Sequence, residues 1–145
     1  MAEKLLTRSY KVRGGDYDKA GEVADEIKKI LKDLQIAPQL VRRTVVITFE
    51  GEMNMVMYAH EGTISFVLTN EDITLRIVDT GPGIEDIEKA MTEGYSTATD
   101  EMRMMGFGFG MGLPNIRKNS DIFNIESALG NGTSVTSIIR LNENG

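Results

Sequence analysis

The sequence predicts an α/β (α+β) two-layer sandwich, a mixed, mostly antiparallel sheet with helices on one face. Three observations predict it. Apolar residues recur at three- and four-residue spacing in two long segments of the first half, from about Asp18 to Leu34 and from Pro38 to near Gly62. Short β-branched segments bounded by Gly, Asn and Asp follow in the second half. Short turns rather than crossover helices join most of these strands, which disfavours a doubly wound parallel sheet. With 145 residues and 41% hydrophobic content, the chain fits one domain, residues 1–145, with its own core.

The elements follow in order. Leu5 to Arg13 alternates loosely, carries Thr, Tyr and Val, and is closed by Gly14-Gly15-Asp16, the pattern of a strand and turn. In the first helix Ala20, Val23, Ala24, Ile27, Ile30, Leu31 and Leu34 form one stripe, with Lys and Glu opposite. Pro38 suits the first turn of the second helix, which Leu40, Val41, Val45, Ile47, Phe49, Met53, Met57 and Tyr58 continue. Its β-branched run, Thr44 to Thr48, has strand propensity, but helix preferences span only about 0.7 kcal/mol per residue and tertiary context overrides them. Thr63 to Thr69 and Ile73 to Val78 form a hairpin around Asn70-Glu71-Asp72. A short helix is expected from about Ile84 to Thr92. The Gly- and Met-rich stretch from Tyr95 to Gly110 has no clear period and reads as a mobile loop. A helix beginning at Gly112 to Pro114 and ending at Asn119 precedes strands at Ile122 to Ser127 and Thr133 to Leu141.

A formal net charge of −6 and a pI near 4.8 argue against a direct nucleic-acid partner, which draws on clustered Lys and Arg, and favour a protein or small molecule. Without cysteine the chain has no disulfide, thiolate metal site or cysteine nucleophile. It shows neither a leader pattern nor about 18 consecutive apolar residues, so a cytoplasmic protein with no membrane partner is expected.

Three glycine-bearing segments carry the chemistry. Asp79-Thr-Gly-Pro-Gly83 follows an apolar strand, so the Asp79 carboxylate emerges at a strand end and needs a donor, such as an adenine amino group, to offset desolvation. Gly81 and Gly83 lack the Cβ atoms that would keep a flat base from the backbone. Alone, this segment reads equally as a turn. The run Gly106, Gly108, Gly110 and Gly112, just before a helix start, suits phosphate oxygens, although its spacing is neither a Walker loop nor a dinucleotide fingerprint. Gly130-Asn-Gly-Thr133 is the third. Upstream, Glu50 and Asn54 lie four residues apart on one helix face and can share a site, Asn54 as a neutral Mg²⁺ ligand and Glu50 as a proton acceptor. By themselves they read as solvated polar residues, and so does Glu52 between them, which faces elsewhere.

The ordered set Glu50-x-x-x-Asn54, Asp79-x-Gly-x-Gly83, Gly108-x-Gly-x-Gly112 and Gly130-x-Gly-Thr133 resembles the four boxes of the GHKL ATP-binding fold. Asp79-Thr-Gly-Pro-Gly-Ile-Glu-Asp-Ile, Glu93-Gly-Tyr-Ser-Thr97 and Gly110-Met-Gly-Leu-Pro114 look most like the bacterial anti-sigma factor and serine-protein kinase family of stress and sporulation switches. The resemblance implies ATP and Mg²⁺ as cofactors. Glu50 is then the catalytic base, Asn54 the Mg²⁺ ligand, Asp79 the adenine-reading acid with Gly81 and Gly83 beside it, and Gly108, Gly110 and Gly112 the phosphate cradle. Thr133 assists Asp79 through its hydroxyl or a water, and Tyr95 to Phe107 form a lid. The implied activity is transfer of the ATP γ-phosphoryl group to a serine of a small anti-anti-sigma-type partner. The alternative is an ATP-binding module that sequesters a sigma factor without significant kinase activity, and a third reading is a detached histidine-kinase catalytic domain. Members of the family form homodimers, which the resemblance extends to this chain without locating an interface.

Overall fold

A computed structural model describes residues 3–84, 86–92 and 112–141. Its strands are β1 (Lys4–Arg13), β2 (Glu61–Thr69), β3 (Asp72–Asp79), β4 (Ile122–Ser127) and β5 (Thr133–Arg140). They form one five-stranded sheet in the order β1-β2-β3-β5-β4. All four pairings are antiparallel, so the described sheet lies at the fully antiparallel end of the expected mixed architecture. The helices are α1 (Glu22–Asp33), α2 (Pro38–Tyr58), the one-turn α3 (Ile87–Ala90) and α4 (Gly112–Asn119).

Alternation decides which sheet face is covered. Ile64, Phe66 and Leu68 of β2, Ile73, Leu75 and Ile77 of β3, and Val135 and Ile139 of β5 all point to the helical layer and are buried. The helix α2 lies across this face, with α1 on one flank and α4 on the other. It buries Leu40, Val41, Ile47, Met55 and Val56. A Cβ at Gly51 would come within 2.6 Å of Ile77 Cδ1, so only glycine lets α2 sit this low on β3. The β-branched run is helical because its buried hydroxyls bond back along the helix, Thr44 Oγ1 to the Leu40 carbonyl and Thr48 Oγ1 to the Thr44 carbonyl, both at 2.8 Å.

Three boundaries differ from expectation. The first helix is interrupted: a 3₁₀ turn at Tyr17–Lys19 precedes Gly21, whose φ of 98° is left-handed, and α1 starts only at Glu22. The second ends at Tyr58, because Glu61 and Gly62 pair with Arg13 and Val12 of β1. The expected Ile84–Thr92 helix is reduced to α3, capped by the Asp86 carboxylate on the Lys89 amide at 3.1 Å.

Glu52 corrects the sequence reading outright. It is 2% exposed rather than solvated, and its two oxygens accept from the Val23 and Ala24 amides, each at 3.2 Å. Gly21 has no side chain to cap α1, so α2 supplies the cap from across the interface. Burial pushes the Glu52 pKa up, and the amide bonds to the start of α1 pull it back only in part. A carboxyl group with a raised folded-state pKa favours the folded protein when protonated. Its contribution is complete below the unfolded pKa and is lost as pH rises through the folded one.

Two outcomes follow for urea denaturation. Glu52→Ala should cost about 1–3 kcal/mol, since it strands two buried amides. Glu52→Gln should remove the part of the stability loss that wild type shows as pH rises from below the ordinary carboxylate range; identical slopes for wild type and variant would place Glu52's titration outside the folding equilibrium.

Candidate functional site

The antiparallel register brings Asp79, the last residue of β3, opposite Thr133, the first of β5. Asp79 Oδ1 accepts from the Gly81 amide at 2.8 Å and the Thr133 amide at 3.2 Å. Two backbone donors therefore orient the carboxylate and leave Oδ2 to accept from outside. Thr133 reaches Asp79 by its backbone N–H, a contact the sequence reading did not name. Its hydroxyl instead lies 2.8 Å from Ser127 Oγ.

Ser127 is a site residue that the sequence reading missed. Its Oγ donates to the Gly132 carbonyl at 2.9 Å and accepts from the Ile84 amide at 2.8 Å, which leaves Thr133 as the donor in their pair. The Gly130 amide donates to the Pro82 carbonyl at 2.8 Å. These bonds lace the 79–84 segment to the β4–β5 turn. Gly83, with φ of 81°, faces this turn: a Cβ there would lie 2.1 Å from the Ala128 carbonyl oxygen. Its lack of a side chain serves the chain's own packing. Gly81 is less tightly enclosed, since its Cβ would lie 3.0 Å from Ala59 Cα, just past the end of α2.

Glu50 and Asn54 share the flank of α2 that faces α4. Asn115 Nδ2 donates to Glu50 Oε2 at 2.9 Å, and a Cβ at Gly112 would lie 3.1 Å from Asn54 Oδ1. Thus the first turn of α4, entered directly from the glycine run, packs against both polar residues. Asn115 is a second residue that sequence reading missed. The only signal was its place one turn after Gly112. Gly108, Gly110 and the Tyr95 to Phe107 segment lie outside the described residues.

The profile of the histidine kinase-, DNA gyrase B- and HSP90-like ATPases matches residues 42–143. The chain belongs to this ATPase family. Within it, the chain is 31% identical over 115 residues to the serine/threonine-protein kinase RsbT of Bacillus subtilis, covering 77% of this chain and 80% of that one. It is 36% identical over 92 residues to the anti-sigma F factor of Caldanaerobacter subterraneus, covering 59% of this chain and 60% of the relative. The SiaB–SiaC complex from Pseudomonas aeruginosa contains a chain of similar fold, with a TM-score of 0.52 and 13% identity over 94% of this chain and 91% of that one.

The matched stretch includes every polar residue of the site, and the residues fit an adenine nucleotide of the kind that family name implies. Asp79 presents an oriented acceptor for an exocyclic amine, and the glycine-led first turn of α4 carries backbone amides of the kind that hold an anion. Among the described residues no group of three or more His, Asp and Glu could hold a metal. None of the described helices is long and apolar enough to cross a membrane.

The Glu50–Asn115 contact is testable without any assay of activity. In a double-mutant cycle of Glu50→Ala and Asn115→Ala followed by urea denaturation, the pair should show a coupling of about 0.5–1.5 kcal/mol. Strictly additive effects would mean that the two side chains do not meet in solution.

Proposed function

We propose that this protein is an ATP-dependent serine-protein kinase and anti-sigma regulatory factor, which transfers the ATP γ-phosphoryl group to a serine of a small regulatory partner protein in the cytoplasm. One observation carries the reading. The carboxylate of Glu50 sits on the α4-facing flank of α2, held by Asn115 directly beside the entrance of the glycine run into α4. The RsbT likeness, over four-fifths of that kinase, supports the same reaction class.

Asp79 would hold the adenine amino group through Oδ2, while the Gly81 and Thr133 amides hold Oδ1 and orient the carboxylate. Gly81 and Gly83 contribute backbone at the base. Gly108, Gly110 and Gly112 are the residues that would hold the phosphates. Asn54 would be the protein's ligand to Mg²⁺, a single neutral oxygen, in keeping with an ion that keeps waters and binds substrate phosphates rather than an all-protein cage. Bound Mg-ATP supplies the phosphoryl group and the neutralisation of charge that its transfer needs. Glu50 accepts the proton of the seryl hydroxyl, and Asn115 fixes Oε2 so that Oε1 is the oxygen available to that proton.

A second reading has its own support in the anti-sigma F likeness: a module that binds a sigma factor in a nucleotide-dependent way with no significant transfer. Mixing the purified protein with Mg-ATP and the small regulator encoded beside it separates the two. The kinase reading expects stable phosphoserine on the regulator. No phosphoserine, together with nucleotide-dependent capture of a sigma factor, favours the second.

The residue roles have separate readouts. Asp79→Asn should reduce ATP affinity by roughly 100-fold or more in calorimetry, as it turns one acceptor into a donor facing the adenine amine; retained affinity would remove Asp79 from base recognition. Glu50→Gln should bind ATP as wild type does and lose about 10²–10⁴-fold in transfer rate. An active Glu50→Gln enzyme would assign the proton to another acceptor.

A further inference from the structure

On the α1 side of α2, away from Glu50 and Asn54, the structure has a groove of about 530 Å³. Its floor is Ile36, Val41, Val45 and Val46, and its rim is Lys28 and Lys32 of α1 and Arg42 of α2. We propose that this groove is a protein-docking site for an amphipathic segment of a partner, one whose apolar residues fill the groove and whose Asp and Glu residues meet the rim. This goes beyond the nucleotide site and does not depend on whether the chain transfers phosphate.

Two independent observations carry the proposal. The first is the sequence of α2. Thr44, Ile47 and Thr48 are fully buried and account for their own β-branching, but Val45 and Val46 lie only half-buried on the groove side. Val45 packs in part against the core, whereas Val46 lies outside that cluster and keeps a β-branched apolar surface on the groove floor, against helix propensity and solubility. Phe49, one turn beyond Val45, is 41% exposed and extends the apolar surface.

The second is charge. Residues 28–43 carry Lys28, Lys29, Lys32, Arg42 and Arg43 against the lone carboxylate of Asp33, in a chain whose net charge is −6. Arg43 pairs with Asp121 at 3.1 Å. The three rim cations are exposed, with no carboxylate within ion-pair distance among the described residues, and no carboxylate lines the groove. A concentrated positive rim around an apolar floor selects an occupant of opposite charge. Helix-in-groove recognition uses this combination of apolar anchors and flanking charge. A second copy of the chain is a poorer occupant. The acidic half of α1, with Glu22, Asp25 and Glu26, commits its apolar Val23 and Ala24 to its own core, so it offers carboxylates without an anchor.

The test uses the full chain and two fluorescent helical peptides of one design, leucines at i, i+3, i+4 and i+7 with flanking glutamates in one and lysines in the other. The glutamate peptide should bind at least about tenfold more tightly by anisotropy, with the preference shrinking at high salt. The double variant Lys28→Glu, Lys32→Glu alters only exposed side chains, and it should reverse the preference while leaving ATP affinity unchanged. Val46→Arg should abolish binding of the glutamate peptide. Failure of the glutamate peptide to bind, equal binding of the two peptides, or a preference that survives the double variant would overturn the proposal. So would a dimer in analytical ultracentrifugation that dissociates on Val46→Arg, which assigns the groove to a second copy.

Discussion

The contact of α2 with β3 at Gly51 sets the height of the whole helical layer. Any side chain at residue 51 would collide with Ile77, two residues before Asp79. The same residue pair therefore fixes the separation between the helix that carries Glu50 and Asn54 and the strand that ends in Asp79. Raising α2 by the width of a methyl group would loosen the core beneath it. It would also move both polar residues relative to the carboxylate at the strand end.

From this seat the other elements take their places. Glu52 draws the start of α1 onto α2, since the cap that Gly21 cannot provide comes from α2 itself. On the opposite flank Arg43 donates to the Asn119 carbonyl at 3.0 Å and to Asp121, closing the far end of α4 against α2. Burial raises the Asp121 pKa, but the Arg140 amide and the Arg43 guanidinium outweigh it and hold the carboxyl below its usual range. The helix α2 thus meets α1 through a buried carboxyl group and α4 through a partly exposed guanidinium. Its α4-facing flank carries Glu50 and Asn54, and Val45 and Val46 face the groove.

Much of the architecture was legible in sequence because periodicity and punctuation report directly on burial and turns. The stripe from Val23 to Leu31 and the hairpin around Asn70-Glu71 stand where pattern put them, and the strand expected at Ile73 to Val78 extends by one residue at each end. The misread parts share a cause. Glu52 looked solvated because a carboxylate in a helix usually is, and its partners Val23 and Ala24 lie almost thirty positions upstream. Ser127 and Asn115 carry no motif of their own, and their value comes from contacts with residues 84 and 50.

The sequence by itself determined the family and the fold class, because these reside in local pattern and motif order. Tertiary structure decided which groups actually meet. It gave Asp79 the Thr133 amide, turned Gly83 toward the β4–β5 turn, and joined Glu50 to Asn115. Hydrogen bonds act over about 3 Å. Register and packing across the sheet fix such distances between residues far apart in the chain, and no local periodicity encodes them.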